Sequence, residues 1–371
     1  MTKTLLAAAL LGAIAIPSAF AQDIVIGQSV ALSGPNADIG RDMRDGAMAV
    51  FAKANATNAL GRKITLVTLD NANNRQRAAE NTQQLVGTHN AMVLFGYNSA
   101  TNSLDALPLA EKNKMLFFAP FSGSGSLRNH PNVYTIRASY KDEATKILEA
   151  KRIVGSVKAV VLHYDDEVGR GNYEAVASAY VAAGMTKPAA VAVKRGQPLE
   201  AATTEALLKD QPHYVLATTQ YSAVGEYLKQ SGERGAQVPV AALSFVNPDE
   251  LAEGVGGAAR GTVVAQVMPS PRASNQAALP VVKECAEALE ALNGAKLNYT
   301  SLESCIAAKA LVAALKKAGG ARATRESVLA AMPTLGRVDL NGFSLNYANG
   351  SHHGSGWVEL TMLSRGNRFV Q

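Results

Sequence analysis

From Asp23 onward, short β-rich apolar runs alternate with longer stretches whose apolar positions repeat with helical period. The run "IVIGQSVAL" predicts a strand, and "IGRDMRDGAMAVFAKAN" a helix carrying Met43, Ala47, Val50 and Ala54 on one face. "KITLVTLD", "AMVLFGY" and "MLFFAP" are the next strands, with "RQRAAENTQQLVG" and "SLDALPLAEKN" the helices between them. This alternation is the pattern of a doubly wound, mainly parallel α/β sheet, because parallel neighbours need a crossover and a helix makes a compact one.

The alternation then restarts. "KDEATKILEAKRIVG" and "VKAVVLHY" open a second series of helices and strands that runs through "HYVLATT" and "VPVAALSFV" to "GTVVAQVMP". Two similar α/β lobes in succession are expected. Behind them come "ALPVVKECAEALEALNG", "SLESCIAAKALVAALKKAG" and "TRESVLAAM" as helices, then a glycine-punctuated β-like tail from Val338. The second lobe already has its helices, so most of the late ones should cover the first, and the chain must pass between lobes more than once. The passages are expected near Ala138 to Tyr140, Pro269 to Arg272 and Phe343 to Tyr347. Lobe one then comprises residues 22–138 and 272–343, and lobe two residues 139–271 and 344–371.

Residues 1–21 stand apart from this pattern. Lys3 precedes an apolar stretch, and Ala19-Phe20-Ala21 is the small-x-small motif of a cleavage site, so the segment reads as a secretory signal peptide. The run from Leu5 to Ile16 falls short of the roughly 20 residues of a spanning helix. About 350 of the 371 residues remain, enough for two separate cores, and none of the later segments is apolar enough to span a bilayer. An exported, soluble protein is the expectation. The formal net charge is +6, with Lys and Arg scattered among acids, which together with export argues against a nucleic-acid partner. Such a surface fits an anionic ligand and fits plain solubility equally. Cys285 and Cys305 fall on two successive predicted helices, on or near the apolar stripe of each. One disulfide and two buried thiols both fit that placement, and no metal-ligand spacing uses either residue.

In an open α/β sheet a ligand lies beyond the carboxyl ends of the strands. The loops there are "SGPNADIG", "GYNSATNS" and "FSGSGSLR" in lobe one, all rich in Ser, Gly, Asn or Thr. Hydroxyls of Ser99, Thr101 and Ser122, beside backbone N–H groups where loops lead into helices, suit a carboxylate or another acceptor. Each residue alone is better explained as a helix cap; the coincidence of loops at one sheet edge singles them out. Lobe two offers "YDDEVGRG", "TTQYSAVG" and "SFVNPDEL", with Tyr221 and Phe245 as rings able to cover an apolar ligand portion. Asp165, Asp166 and Glu167 read as a solvated acidic turn. No G-x-S-x-G elbow, Walker loop or H-E-x-x-H motif occurs. His352-His353 reads as a solvent-exposed loop pair and His163 as a satisfied structural histidine, so a binder without cofactor or metal is expected rather than an enzyme.

"IVIGQSVALSGPNADIGRDMRDGAMAVFAKAN", "GYNSATNSLDALPLAEKNKMLFFAPFSGSGSLRN" and later "VVLHYDDEVGRGNYEAV" and "HHGSGWVELTML" carry a further signal. Across essentially the whole mature chain, the sequence resembles the periplasmic solute-binding proteins of ABC importers, of the leucine/isoleucine/valine-binding type. The resemblance implies a type I periplasmic binding fold, two lobes joined by three strands that close on a small-molecule ligand and deliver it to an ABC permease in the inner membrane. A monomer is expected. It also implies that the ligand carboxylate is held at Ser99, Ala100 and Thr101 and at Phe121, Ser122 and Gly123. Ile39 falls where an aromatic often lines the pocket, and Val168, Gln220 and Tyr221 match wall positions of lobe two. One departure is informative. Amino-acid binders of the family keep an acidic residue after the strand matching "VPVAALSFV" to pair with the ligand ammonium, whereas Phe245 and Val246 stand there here, with Asp249 or Glu250 as substitutes only if the loop is displaced. A small organic acid, aromatic acid or amide is therefore expected ahead of leucine, since an unpaired buried ammonium is costly. A ligand sensor on the same fold is the alternative role.

Overall fold

The computed structural model describes residues 22–34, 36–246, 248–364 and 369–370. The expected signal segment, residues 1–21, lies outside them. Lobe one opens with β1 (Ile24–Val30), α1 (Ala37–Ala56), β2 (Ile64–Asp70), α2 (Arg75–Gly87) and β3 (Val93–Phe95). It continues with α3 (Ala100–Ser103), α4 (Leu107–Lys112), β4 (Leu116–Phe118), α5 (Gly125–Arg128) and β5 (Val133–Tyr134). Lobe two holds α6 (Tyr140–Ile153), β6 (Ala159–Tyr164), α7 (Glu167–Ala182), β7 (Ala189–Val193) and α8 (Ala201–Leu208). After these come β8 (Tyr214–Ala217), α9 (Tyr221–Glu233), β9 (Val240–Ala242), α10 (Pro248–Val255) and β10 (Val263–Gln266). The chain ends with α11 (Ala273–Ala278), α12 (Pro280–Asn293), α13 (Tyr299–Lys317), α14 (Arg325–Ala331), β11 (Arg337–Asp339), β12 (Ser344–Asn346), β13 (Glu359–Leu363) and β14 (Phe369–Val370).

The first sheet has the order β2-β1-β3-β4-β5, parallel throughout. The second has β7-β6-β8-β9-β10 in the same parallel order, extended at one edge by antiparallel β13 and β14. Each lobe thus repeats one winding, and in each the strand order reverses beside its first strand, where a crevice opens. Central strands are buried on both faces because helices cover both: every residue of β3, β4 and β8 is buried. The edge strand β7, by contrast, has no buried residue.

The late helices do cover lobe one. Cys285, Cys305, Ile306 and Leu311 share its main core with Ile24, Phe51 and Phe95. Gly46 allows this approach, since a Cβ there would lie 2.3 Å from the Ser301 carbonyl oxygen on α13. Ser304 Oγ donates to the Met43 carbonyl at 2.5 Å, and a Cys285–Cys305 disulfide staples α12 to α13. Met43, Ala47 and Ala54 are buried on the expected face of α1, with Val50 partly so.

The chain leaves lobe one between Tyr134 and Tyr140 and returns after β10, where Val267 and Met268 join the first core. The last passage comes later than Phe343 to Tyr347. Strand β12 pairs with β11, and the Tyr347 ring packs 6.0 Å from Tyr134 and 6.5 Å from Phe118, its hydroxyl donating to the Thr135 carbonyl. His353 then bridges to Thr135, and the chain enters the second sheet at β13. Five elements were not legible as periodic runs: β5 has two residues, α3 and α5 lie inside Ser-rich loops, α11 precedes the first of the late helices expected, and α10 follows β9, which stops at Ala242 rather than continuing through Val246.

Candidate functional site

The loops from both lobes meet around a cleft with about 600 Å³ of empty space, part of it open to solvent. On lobe one, Ser99 caps α3 by accepting from the Asn102 N–H at 3.1 Å, so its structural role is real, yet Ser99, Ala100 and Thr101 also line the cleft. Ile39, at the start of α1, joins Phe121 in a small apolar cluster with Val30 and Met43, and both face the same space. Ser122 is 1% exposed; its Oγ accepts from the Ser124 N–H at 3.1 Å and lies 3.2 Å from the Tyr140 hydroxyl.

Gly123 is not among the residues lining the cleft. A Cβ there would lie 2.7 Å from the Tyr140 ring, and its carbonyl accepts from the Tyr140 N–H, so its smallness seats the ring at the passage between lobes.

Lobe two contributes Val168, Gln220, Tyr221 and Phe245, as the sequence suggested, together with Tyr164 and Arg195. Val168 touches the other lobe as well, forming one buried apolar cluster with Ala100 and Leu127, so the two walls are in contact. Arg195 follows β7. Its guanidinium lies 3.9 Å over the Tyr164 ring, and Nε donates to Asp166 Oδ2 at 2.7 Å. Asp166 also accepts from the Gly169 N–H at 2.7 Å, capping α7. Burial works to raise its pKa, but the Arg195 hydrogen bond and the Gly169 N–H outweigh burial and hold the carboxyl below its ordinary value. The acidic turn is therefore a cap and an ion-pair partner at Asp166, while Asp165 pairs with Arg170 on the exposed surface.

Tyr164 and Arg195 escaped sequence reasoning because their roles depend on two strand ends being side by side. Arg195 alone carries a charge among the described residues that line the cleft. Glu250 is not among them, although it lies close enough to Tyr221 to disfavour its phenolate alongside burial. The Asp249 side chain lies outside the described residues.

Behind the cleft, Glu143 accepts from the Ser244 N–H at 2.7 Å and from its hydroxyl at 2.8 Å. Burial pushes its carboxyl up to about 7, against the opposing pull of Arg137 and these bonds. The histidines are elsewhere. His163 Nδ1 lies 2.9 Å from the Tyr164 carbonyl, with its ring stacked on Tyr173. His352 and His353 are half-buried rather than solvent-exposed: His352 stacks 4.0 Å from Tyr134 at the passage between lobes, and burial lowers His353 to about 4.

Two doubly wound lobes of identical strand order, joined by several passages and meeting at a cleft beyond their strand ends, define a solute-binding protein with a type I periplasmic binding fold. A model of the periplasmic binding protein family matches residues 23–366. A Leu/Ile/Val-binding protein homolog 2 of Brucella abortus is 24% identical over 245 residues, 65% of this chain and 66% of that protein. The chain thus spans just under two thirds of that relative. Leu/Ile/Val-binding protein BraC3 of Rhizobium johnstonii is 23% identical over 328 residues, 86% of each chain. The crystal structure of a possible leucine/isoleucine/valine-binding protein from Rhodopirellula baltica superposes with a TM-score of 0.86 at 25% identity, covering 95% of this chain and 97% of that one. The chain belongs to the periplasmic binding protein family, which works outside the cytoplasm.

Proposed function

We propose that this protein is the extracytoplasmic solute-binding subunit of an ABC importer, and that its ligand is a small carboxylate-bearing molecule held between the lobes. The observation that carries the reading is the charge of the cleft. Its described lining offers neutral hydroxyl groups at Ser99, Thr101 and Ser122, one guanidinium at Arg195, and no carboxylate to receive an ammonium. A carboxylate gains charge-assisted hydrogen bonds in such a site, while the ammonium of an α-amino acid would be desolvated without a partner. Phe121, Tyr164, Tyr221 and Phe245 supply rings for the apolar body of the ligand. Lobe one holds the solute first, lobe two closes on it, and the closed complex is what a permease recognises.

Calorimetric titration with small carboxylic acids, their neutral amides and L-leucine tests the reading. Acids should bind saturably and at least about tenfold more tightly than amides of the same shape, the value of one charge-assisted hydrogen bond. Tight binding of leucine with no response to any non-amino acid would overturn it.

A further inference from the structure

A second pocket, with about 440 Å³ of empty space including its open part, adjoins the cleft on the hinge side and shares Ile39, Phe121 and Phe245 with it. Both lobes build it. Asn298, Thr300 and Glu303 come from the α13 end of lobe one, Ser244, Val246 and Gln266 at the end of β10 from lobe two, and Val267 and Met268 from the returning passage. Arg137, on the outgoing passage, also lines it and is 1% exposed.

The guanidinium of Arg137 is held on two sides. Nη2 donates to Glu303 Oε2 at 3.0 Å while Nε stands 3.0 Å from Oε1, and the plane lies 4.3 Å over the Phe121 ring. Nη1 has no hydrogen-bond partner among the described residues. A buried donor without an acceptor is costly, and here it lies in the wall of a space continuous in lining with the binding cleft. Glu303 already answers the positive charge, and Glu143 adds a second carboxyl nearby. The group that suits Nη1 is therefore a neutral acceptor and not a second anion.

We propose that this hinge-side pocket is a subsite for a neutral oxygen substituent, a hydroxyl or carbonyl carried on the ligand away from its carboxylate, and that Arg137 Nη1 donates to it. The proposal rests on the carboxylate reading of the main cleft and adds to it the class of acid: oxygenated at the far end. Because both lobes line the pocket, a ligand that fills it ties the lobes at the hinge as well as at the mouth.

The test is calorimetric titration of the full-length mature protein with two matched pairs, phenylacetate against 4-hydroxyphenylacetate and hexanoate against 5-oxohexanoate. The oxygenated member of at least one pair should bind about tenfold more tightly. In Arg137→Lys, which keeps a cation for Glu303 but lacks Nη1, the gap should close. Should that variant fail to fold, the paired Arg137→Gln/Glu303→Gln variant, which leaves no buried charge alone, should close it equally. Equal affinity within both pairs in the unmodified protein would mean that Nη1 is met by water only, overturning the subsite while leaving the carboxylate reading intact. Binding of no acid in either pair, with leucine bound, would overturn both.

Discussion

The two lobes are wound alike and furnished differently. Each places its first and third strands side by side, so each opens a crevice at the same point of its sheet. Lobe one lines its side mostly with small side chains at Ser99, Ala100, Thr101 and Ser122 beside Ile39 and Phe121, while lobe two lines its side with Tyr164, Tyr221, Phe245 and the ion-paired Arg195. Winding decides where the crevice lies, and the few residues after each strand decide what lines it. Lobe one alone also carries a covalent staple, Cys285–Cys305, under the helices that the end of the chain returns to it.

That contrast can be broken at several points, taken from the largest expected effect down. Replacing Cys285 and Cys305 by Ala removes a closure of 20 residues and should cost roughly 3 kcal/mol of lobe-one stability. Denaturant unfolding followed by hydrogen exchange should show the loss confined to helices α12 and α13 and the sheet beneath; an equal loss in lobe two would show the lobes unfolding as one unit.

Ser122→Ala should weaken acid binding by about 1–3 kcal/mol, because a buried hydroxyl facing the cleft is lost and the Ser124 N–H loses its acceptor. Unchanged affinity with lowered melting temperature would leave Ser122 a purely structural residue. On the opposite wall, Arg195→Gln should cost acids about 1 kcal/mol and leave their amides unaffected, since the guanidinium is shared with Asp166 and partly solvated. Equal losses for acid and amide would assign Arg195 to wall packing alone.

A separate effect is a slope of stability with pH. The Glu143 carboxyl is raised by burial from 4.5 to about 7, so the folded protein holds this proton more tightly than the unfolded chain does. Its contribution is fully present below about 4.5 and is lost as pH rises through about 7. Glu143→Gln keeps both contacts to Ser244 without the charge, so its melting temperature should fall less than that of the unmodified protein between roughly pH 5 and 8. Parallel curves would place the slope in another group.

Much of this was readable along the chain. Apolar runs such as "MLFFAP" and the face of Met43, Ala47 and Ala54 report burial directly, because period and side-chain direction are local properties. Loops at strand ends were readable for the same reason, and ten of the eleven residues picked from them line the cleft. Gly123 does not, since whether a glycine faces a ligand or a neighbouring ring is settled by Tyr140, which lies 17 positions on in the chain. Arg195 and Arg137 were invisible because a guanidinium in sequence carries no mark of what it faces. Tyr347 staying with lobe one was hidden likewise, its ring answering to Phe118 and Tyr134 across more than two hundred residues.

By itself, then, the amino-acid order determined the alternation of strands and helices, the two windings and the loops that reach one edge, all consequences of short-range periodicity. The tertiary structure alone decided the pairing of the cysteines, the place of the last passage, and the partners of Arg137, Glu143 and Arg195. Those depend on distances between residues far apart in the chain, which no local pattern encodes.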